Sequence, residues 1–188
     1  MRHTANDVRF FAKKRYHMTK YDLIPFIEQQ NATIPTLREG VVLQVKELEK
    51  YAREFHETID KAETPLKTAM LTNRHMGKLR EISSPEAITP LSTIYSDMSM
   101  LREEIAASDI VAEEKLELYD MIDAVIKKAL VLINVLNLIN GIILPEYFTG
   151  LAKTLGDEID SNIPTANTLS RGLILKLATL ASQIPNNT

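Results

Sequence analysis

An all-α fold, a single-domain bundle of about seven helices of which two are long, is predicted by three features of this sequence. Apolar residues recur at intervals of three and four, as a helix with one buried side requires. Hydroxyl residues stand directly before prolines at Thr64-Pro65, Ser84-Pro85 and Thr89-Pro90, the arrangement of an N-cap followed by the first helical position. No run of Val, Ile, Thr and aromatic residues alternates with period two between turn residues, so nothing competes as a strand.

Taken in chain order, the first element is a short basic helix near 5–17, in which Phe10, Phe11 and Tyr16 stand among Arg9, Lys13, Lys14 and Arg15. A second short helix is expected near 22–30, with Asp22 as N-cap so that Pro25 falls in its first turn. The first long helix spans about 35–62, because Pro35 is followed by Thr36-Leu37-Arg38-Glu39 at capping-box spacing. Inside it Val41, Val45, Leu48, Ala52, Phe55 and Ile59 are spaced 4-3-4-3-4, the clearest seam in the chain. Thr64-Pro65 opens a helix near 65–82, and the turn from Ser83 to Thr89 leads into a seam of Leu91, Ile94, Met98, Leu101 and Ile105. Ser108 or Asp109 then caps the second long helix, about 110–140. Breaks at Gly141 and Asn162 set off two more helices after Pro145 and Pro164, the last carrying Leu169, Leu173, Leu177, Leu180 and Ile184. With connections this short, successive helices pack antiparallel.

The stretch from Ala129 to Leu144 carries no charge and places Asn134, Asn137 and Asn140 three residues apart. Taken alone it makes a helix of about 24 Å at 1.5 Å per residue, short of the roughly 30 Å hydrocarbon core, so no conventional transmembrane helix is expected. Ile122, Val125, Ala129, Leu132, Leu136, Ile139 and Ile143 share one face, while Leu130, Val131 and Leu138 lie with the asparagines on the other. Such a helix suits the centre of a bundle, its amides bonded across to neighbours or to another subunit, and it also suits a concealed membrane element.

With 188 residues and an ordinary mixture of apolar and charged side chains, the chain can bury a sizeable core. Cysteine is absent, which excludes disulfides, thiol nucleophiles and cysteine metal sites. No apolar run follows the basic residues at the N-terminus, so no signal peptide is expected, and the reading is cytoplasmic or within an assembly formed there. Charge is unevenly placed. Residues 1–20 hold six basic residues against Asp7, a net +5, so the rest of a chain of net −3 carries −8. The domain reading is accordingly a basic arm over 1–20 and a helical body over 21–188.

Catalytic constellations fail on spacing. His56-Glu57 begins a zinc-peptidase string, but the fifth position is Asp60. None of His3, His17, His56 and His75 has a glutamate three residues before it, as a di-iron bundle needs, and His75 beside Asn73 and Arg74 reads as a surface or partly buried residue. The six glycines are isolated, so no phosphate loop is present. Glu103, Glu104, Asp109, Glu113, Glu114 and Glu117 form an acidic cluster, read as a solvated or partner-facing patch, with a divalent cation or a docking site for the basic arm as the alternatives. No enzyme, cofactor, metal or small-molecule substrate is indicated.

The expected function is therefore a non-enzymatic helical assembly or interaction protein, a self-associating subunit of a larger, even virion-like, structure. Its interaction candidates are Arg9, Phe10, Phe11, Lys13, Lys14 and Arg15 in the arm and Asn134, Asn137 and Asn140 in the apolar helix. The alternatives are a membrane-active protein inserting 129–144 and a nucleic-acid accessory protein binding through 1–20, whose basic and aromatic residues fit phosphates and bases or an anionic membrane.

Overall fold

The computed structural model describes residues 19–83, 88–156 and 159–186. Among these all regular structure is helical. There are five continuous helices: α1 Lys20–Ile59, α2 Pro65–Ile82, α3 Ile88–Ala106, α4 Ala112–Gly156 and α5 Ile159–Gln183. The short basic helix near 5–17 and the Ser84-Pro85 pair lie outside the described residues.

The seams are buried as their spacing requires. Val41, Val45, Leu48, Ala52, Phe55 and Ile59 are buried, as are Leu91, Ile94, Met98, Leu101 and Ile105, and all seven residues from Ile122 to Ile143 on the predicted α4 face. Helix α2 begins as predicted: the Thr64 hydroxyl accepts a hydrogen bond from the Lys67 N–H at 3.2 Å, with Pro65 at the first position. Thr64→Ala removes that acceptor, and a loss of about 1 kcal/mol in urea denaturation is expected.

Two predicted breaks are absent and a third is displaced; with the helix near 5–17 outside the described residues, five helices are seen where about seven were expected. The first correction concerns Pro35: α1 runs through both Pro25 and Pro35 for 40 residues. Ile27, Ile34, Val41, Leu48 and Phe55 lie seven residues apart and all are buried. Such a stripe stays in line only if the helix is unbroken. Pro35 is exposed beside Ile34, so its ring faces solvent and displaces no core side chain. Proline in a helix costs about 3 kcal/mol, whereas each fully buried side chain of the stripe contributes about 2 kcal/mol. Asp22 is not the N-cap. It lies inside the first turn, where its carboxylate accepts from the N–H and hydroxyl of Thr19 at 3.1 and 2.8 Å, next to the positive end of the helix dipole.

The second correction is at Gly141 and Pro145, where α4 continues for 45 residues. It does so through one π turn, Ile139–Ile143, closed by the Leu144 N–H on the Ile139 carbonyl. Pro145 offers no N–H to the Gly141 carbonyl, and its ring crowds that oxygen. Widening one turn relieves the clash without ending the helix. The third correction is at Asn162 and Pro164, which lie within α5 rather than before it. This proline is close to the helix start, so it removes a bond where few have formed.

The described chain forms two compact units. One contains 19–39 and 88–133. Its core is Leu23, Ile27 and Ile34 of α1, the α3 seam, and Leu118, Ile122, Val125 and Ala129 of α4. Lys20 with Glu117 at 2.5 Å, Lys128 with Asn31 at 3.1 Å and Arg102 with Asp123 at 3.0 Å join its helices at the surface. Exposed pairs of this kind fix geometry more than they stabilise.

The other unit contains 40–83, 134–156 and 159–186. Its core combines the 41–59 seam with Met76 and Leu79 of α2, Ile139, Ile143, Leu144, Tyr147 and Leu151 of α4, and Leu173, Leu177, Leu180 and Ile184 at the C-terminal end. Helices α4 and α5 approach closely at Gly150, where an added Cβ would lie 3.0 Å from both Leu169 methyl groups. Lys176 reaches Glu146 at 3.3 Å across the same pair.

Candidate functional site

Of the predicted interaction residues, Arg9, Phe10, Phe11, Lys13, Lys14 and Arg15 lie outside the described residues. The three asparagines are placed, and not as a ladder buried among neighbouring helices. Asn134 and Asn137 are exposed on α4, their amides open to water. Asn140 is half-buried within the π turn, and its Nδ2 is enclosed with no described hydrogen-bond partner. Asn134 and Asn137 lie on the solvent side of α4 ahead of the π turn, and Asn140 falls inside it.

Leu138 and Ile142 stand on that outer face, 39% and 50% exposed, with Gly141 between them. No charged residue occurs between Lys128 and Glu146. The result is an exposed, charge-free surface of two large aliphatic side chains bordered by amides. The sequence marked the asparagines as interaction candidates, bonded within the bundle or to another subunit, but did not single out Ile142.

The acidic cluster is partly engaged. Lys115 donates to the Ala106 and Ser108 carbonyls at 3.0 and 2.7 Å, which caps the end of α3. Lys20 bonds Glu117, and that hydrogen bond, with the Glu114 charge nearby, holds its ammonium above the ordinary lysine range. Among the described residues no three histidine, aspartate or glutamate side chains are grouped to hold a metal ion.

Two polar constellations in the second unit were not visible as such in the sequence. In the first, the His56 Nδ1 lies 2.9 Å from the Ser170 Oγ, and Ser170 donates its hydroxyl hydrogen to the Asn167 carbonyl at 2.9 Å. His56 is therefore the donor to the serine. A nucleophilic serine needs the reverse polarity, and Ser170 is fully buried. Asn167 in turn donates to the Asp60 carboxylate. The network fastens the end of α1 to α5, and no group in it is poised for catalysis.

The second constellation centres on His75, which is 6% exposed rather than at the surface. Its Nε2 lies 2.8 Å from the Tyr147 hydroxyl, and its ring stacks on Phe55 with centroids 4.2 Å apart and planes 3° from parallel. Burial lowers the imidazole to about 4 and pushes the Tyr147 phenol up. The signal for its burial was present in the sequence, since Thr68, Thr72, His75 and Leu79 follow the same 4-3-4 spacing and all are buried.

Ser170 and His75 are buried, whereas the outer face of α4 is exposed. The chain matches no model of a known protein family, no characterised protein and no solved structure. The functional reading therefore rests on the chemistry of that face.

Proposed function

We propose that this chain is a non-enzymatic helical assembly protein, and that the α4 face bearing Asn134, Asn137, Leu138, Gly141 and Ile142 is where it meets another copy of itself. The observation that carries the reading is the exposure of Leu138 and Ile142 within a segment devoid of charge. Exposed leucines scattered singly need no explanation, but two on adjacent turns, bordered by amides and a glycine, form a surface another helix can meet closely. Asparagines suit a two-fold contact, because each amide both donates and accepts and so pairs with its own copy.

Light scattering over a range of concentrations tests this. Self-association is expected, and Leu138→Glu with Ile142→Glu is expected to weaken it at least about tenfold by placing four carboxylates in the contact of a pair. A monodisperse monomer at high concentration would remove the reading.

A second reading is favoured by one observation. With α4 continuous, the length argument against a span no longer applies: this helix is long and apolar enough to cross a membrane, and only 39% of its most apolar window is buried. Under that reading the same face meets acyl chains, and flotation with liposomes that survives high salt separates it from self-association. The third alternative, nucleic acid held by residues 1–20, requires binding that weakens as salt rises and disappears when those residues are deleted.

A further inference from the structure

We propose that the contact between His75 and Tyr147 is an acid-operated clamp, which holds the C-terminal turns of α4 against α2 and opens that unit of the protein when the imidazole takes up a proton. The geometry is that of a neutral ring. In the unprotonated form Nε2 accepts the Tyr147 hydroxyl at 2.8 Å, Phe55 covers one ring face, and Tyr147 stands edge-on at 87° with its centroid 5.7 Å away. Protonation turns the acceptor into a donor and places a full charge in that space.

Nothing described around the ring answers that charge. Helix α1 faces it with the Phe55 ring and α4 with the Tyr147 phenol, which burial keeps protonated. Within α2 the buried neighbours one turn away are Thr72 and Leu79, and the Thr72 hydroxyl donates to the Thr68 carbonyl at 2.8 Å. Among the described residues no carboxylate and no cation acts on the imidazole, and burial alone depresses it. The charged group that α2 does place against α4, Arg80 at 4.8 Å from the Phe148 ring centroid, is itself a cation.

The sign follows from linkage. The open form takes up the proton near the ordinary value of 6.5 and the closed form only near 4, so the histidine's contribution to closure is fully present above 6.5 and is lost as pH falls from 6.5 towards 4. Two and a half units correspond to an opening equilibrium that rises up to about 300-fold. The unit formed by 19–39 and 88–133 lacks this device. It holds no described histidine, and burial raises the Asp97 carboxyl, so this aspartate binds its proton more readily when folded and favours that unit in acid.

Peptide-resolved hydrogen exchange at pH 7, 5.5 and 4.5, corrected for the intrinsic exchange rate, tests the clamp. Protection is expected to fall in 65–82 and 144–156 while 91–105 and 118–129 keep theirs. In the double variant His75→Phe with Tyr147→Phe, which keeps the ring stack and leaves no hydroxyl unpaired, the first two segments are expected to stay protected at pH 4.5. Should that variant fail to fold at pH 7, His75→Gln, which cannot titrate, is expected to show the same insensitivity. Opening of either folded variant at the wild-type pH, or simultaneous loss of protection in all four segments of the wild-type protein, would overturn the proposal.

Discussion

Leu48→Ala is expected to lower unfolding stability by about 3–5 kcal/mol, the range for a leucine deleted from a core that relaxes only in part. Leu48 is fully buried at the middle of the α1 seam, with Val45 before it and Ala52 after it equally inaccessible. The substitution empties a fully buried position, so a cavity term adds to the lost transfer energy. Leu43, five residues earlier and therefore about 140° around the helix, is 61% exposed. Leu43→Ala is expected to change stability by no more than about 0.5 kcal/mol. Chemical denaturation of the two variants side by side checks both values. Similar losses would mean that the α1 seam does not face the core.

Much of this contrast was legible in the sequence, because periodicity reports which side of a helix is buried whether or not its partner is known. The seams at 41–59, 91–105 and 122–143 needed nothing more. Helix ends were legible only where a side chain itself makes the cap, as Thr64 does. At Pro35 and Pro145 the local preference for a break competed with long-range burial, and burial prevailed, whereas at Pro164 the break fell a few residues earlier than expected. The sevenfold recurrence of Ile27, Ile34, Val41, Leu48 and Phe55 did signal continuity, but it is visible only when the seam is followed back across the proline. The outer face of α4 was harder to place for a different reason: a segment apolar on all sides looks the same whether it is wrapped by its own chain or left open. His75 was misplaced because its polar sequence neighbours outweighed its position in the α2 period.

Pro35→Ala is expected to stabilise the protein, by up to about 3 kcal/mol, since alanine restores the N–H, removes the ring clash and has the highest helix propensity. The unfolded chain regains some freedom without the proline ring, which offsets about 0.4–1 kcal/mol of the gain. The substitution is informative because Pro35 is exposed and the helix is already continuous there, so no core contact changes. Were 22–30 and 35–62 two helices with Pro35 opening the second, the same change would remove a favourable first-turn residue and bring no gain. Pro145→Ala separates the two kinds of proline. From Leu118 to Ile139 the buried positions of α4 follow a 3-4 rhythm, and beyond the wide turn Leu144, Tyr147, Leu151 and Thr154 resume it at 3-4-3 but start five residues after Ile139, the one-residue offset that the wide turn supplies. Closing the π turn would rotate Tyr147 and Leu151 by about 100° relative to Leu136 and Ile139, so burial holds the turn open even when alanine could close it. The gain at Pro145 is therefore expected to be well below that at Pro35, and urea midpoints of the two variants measured together decide it. A larger gain at Pro145 would mean that the proline, and not the register of the buried face, makes the turn.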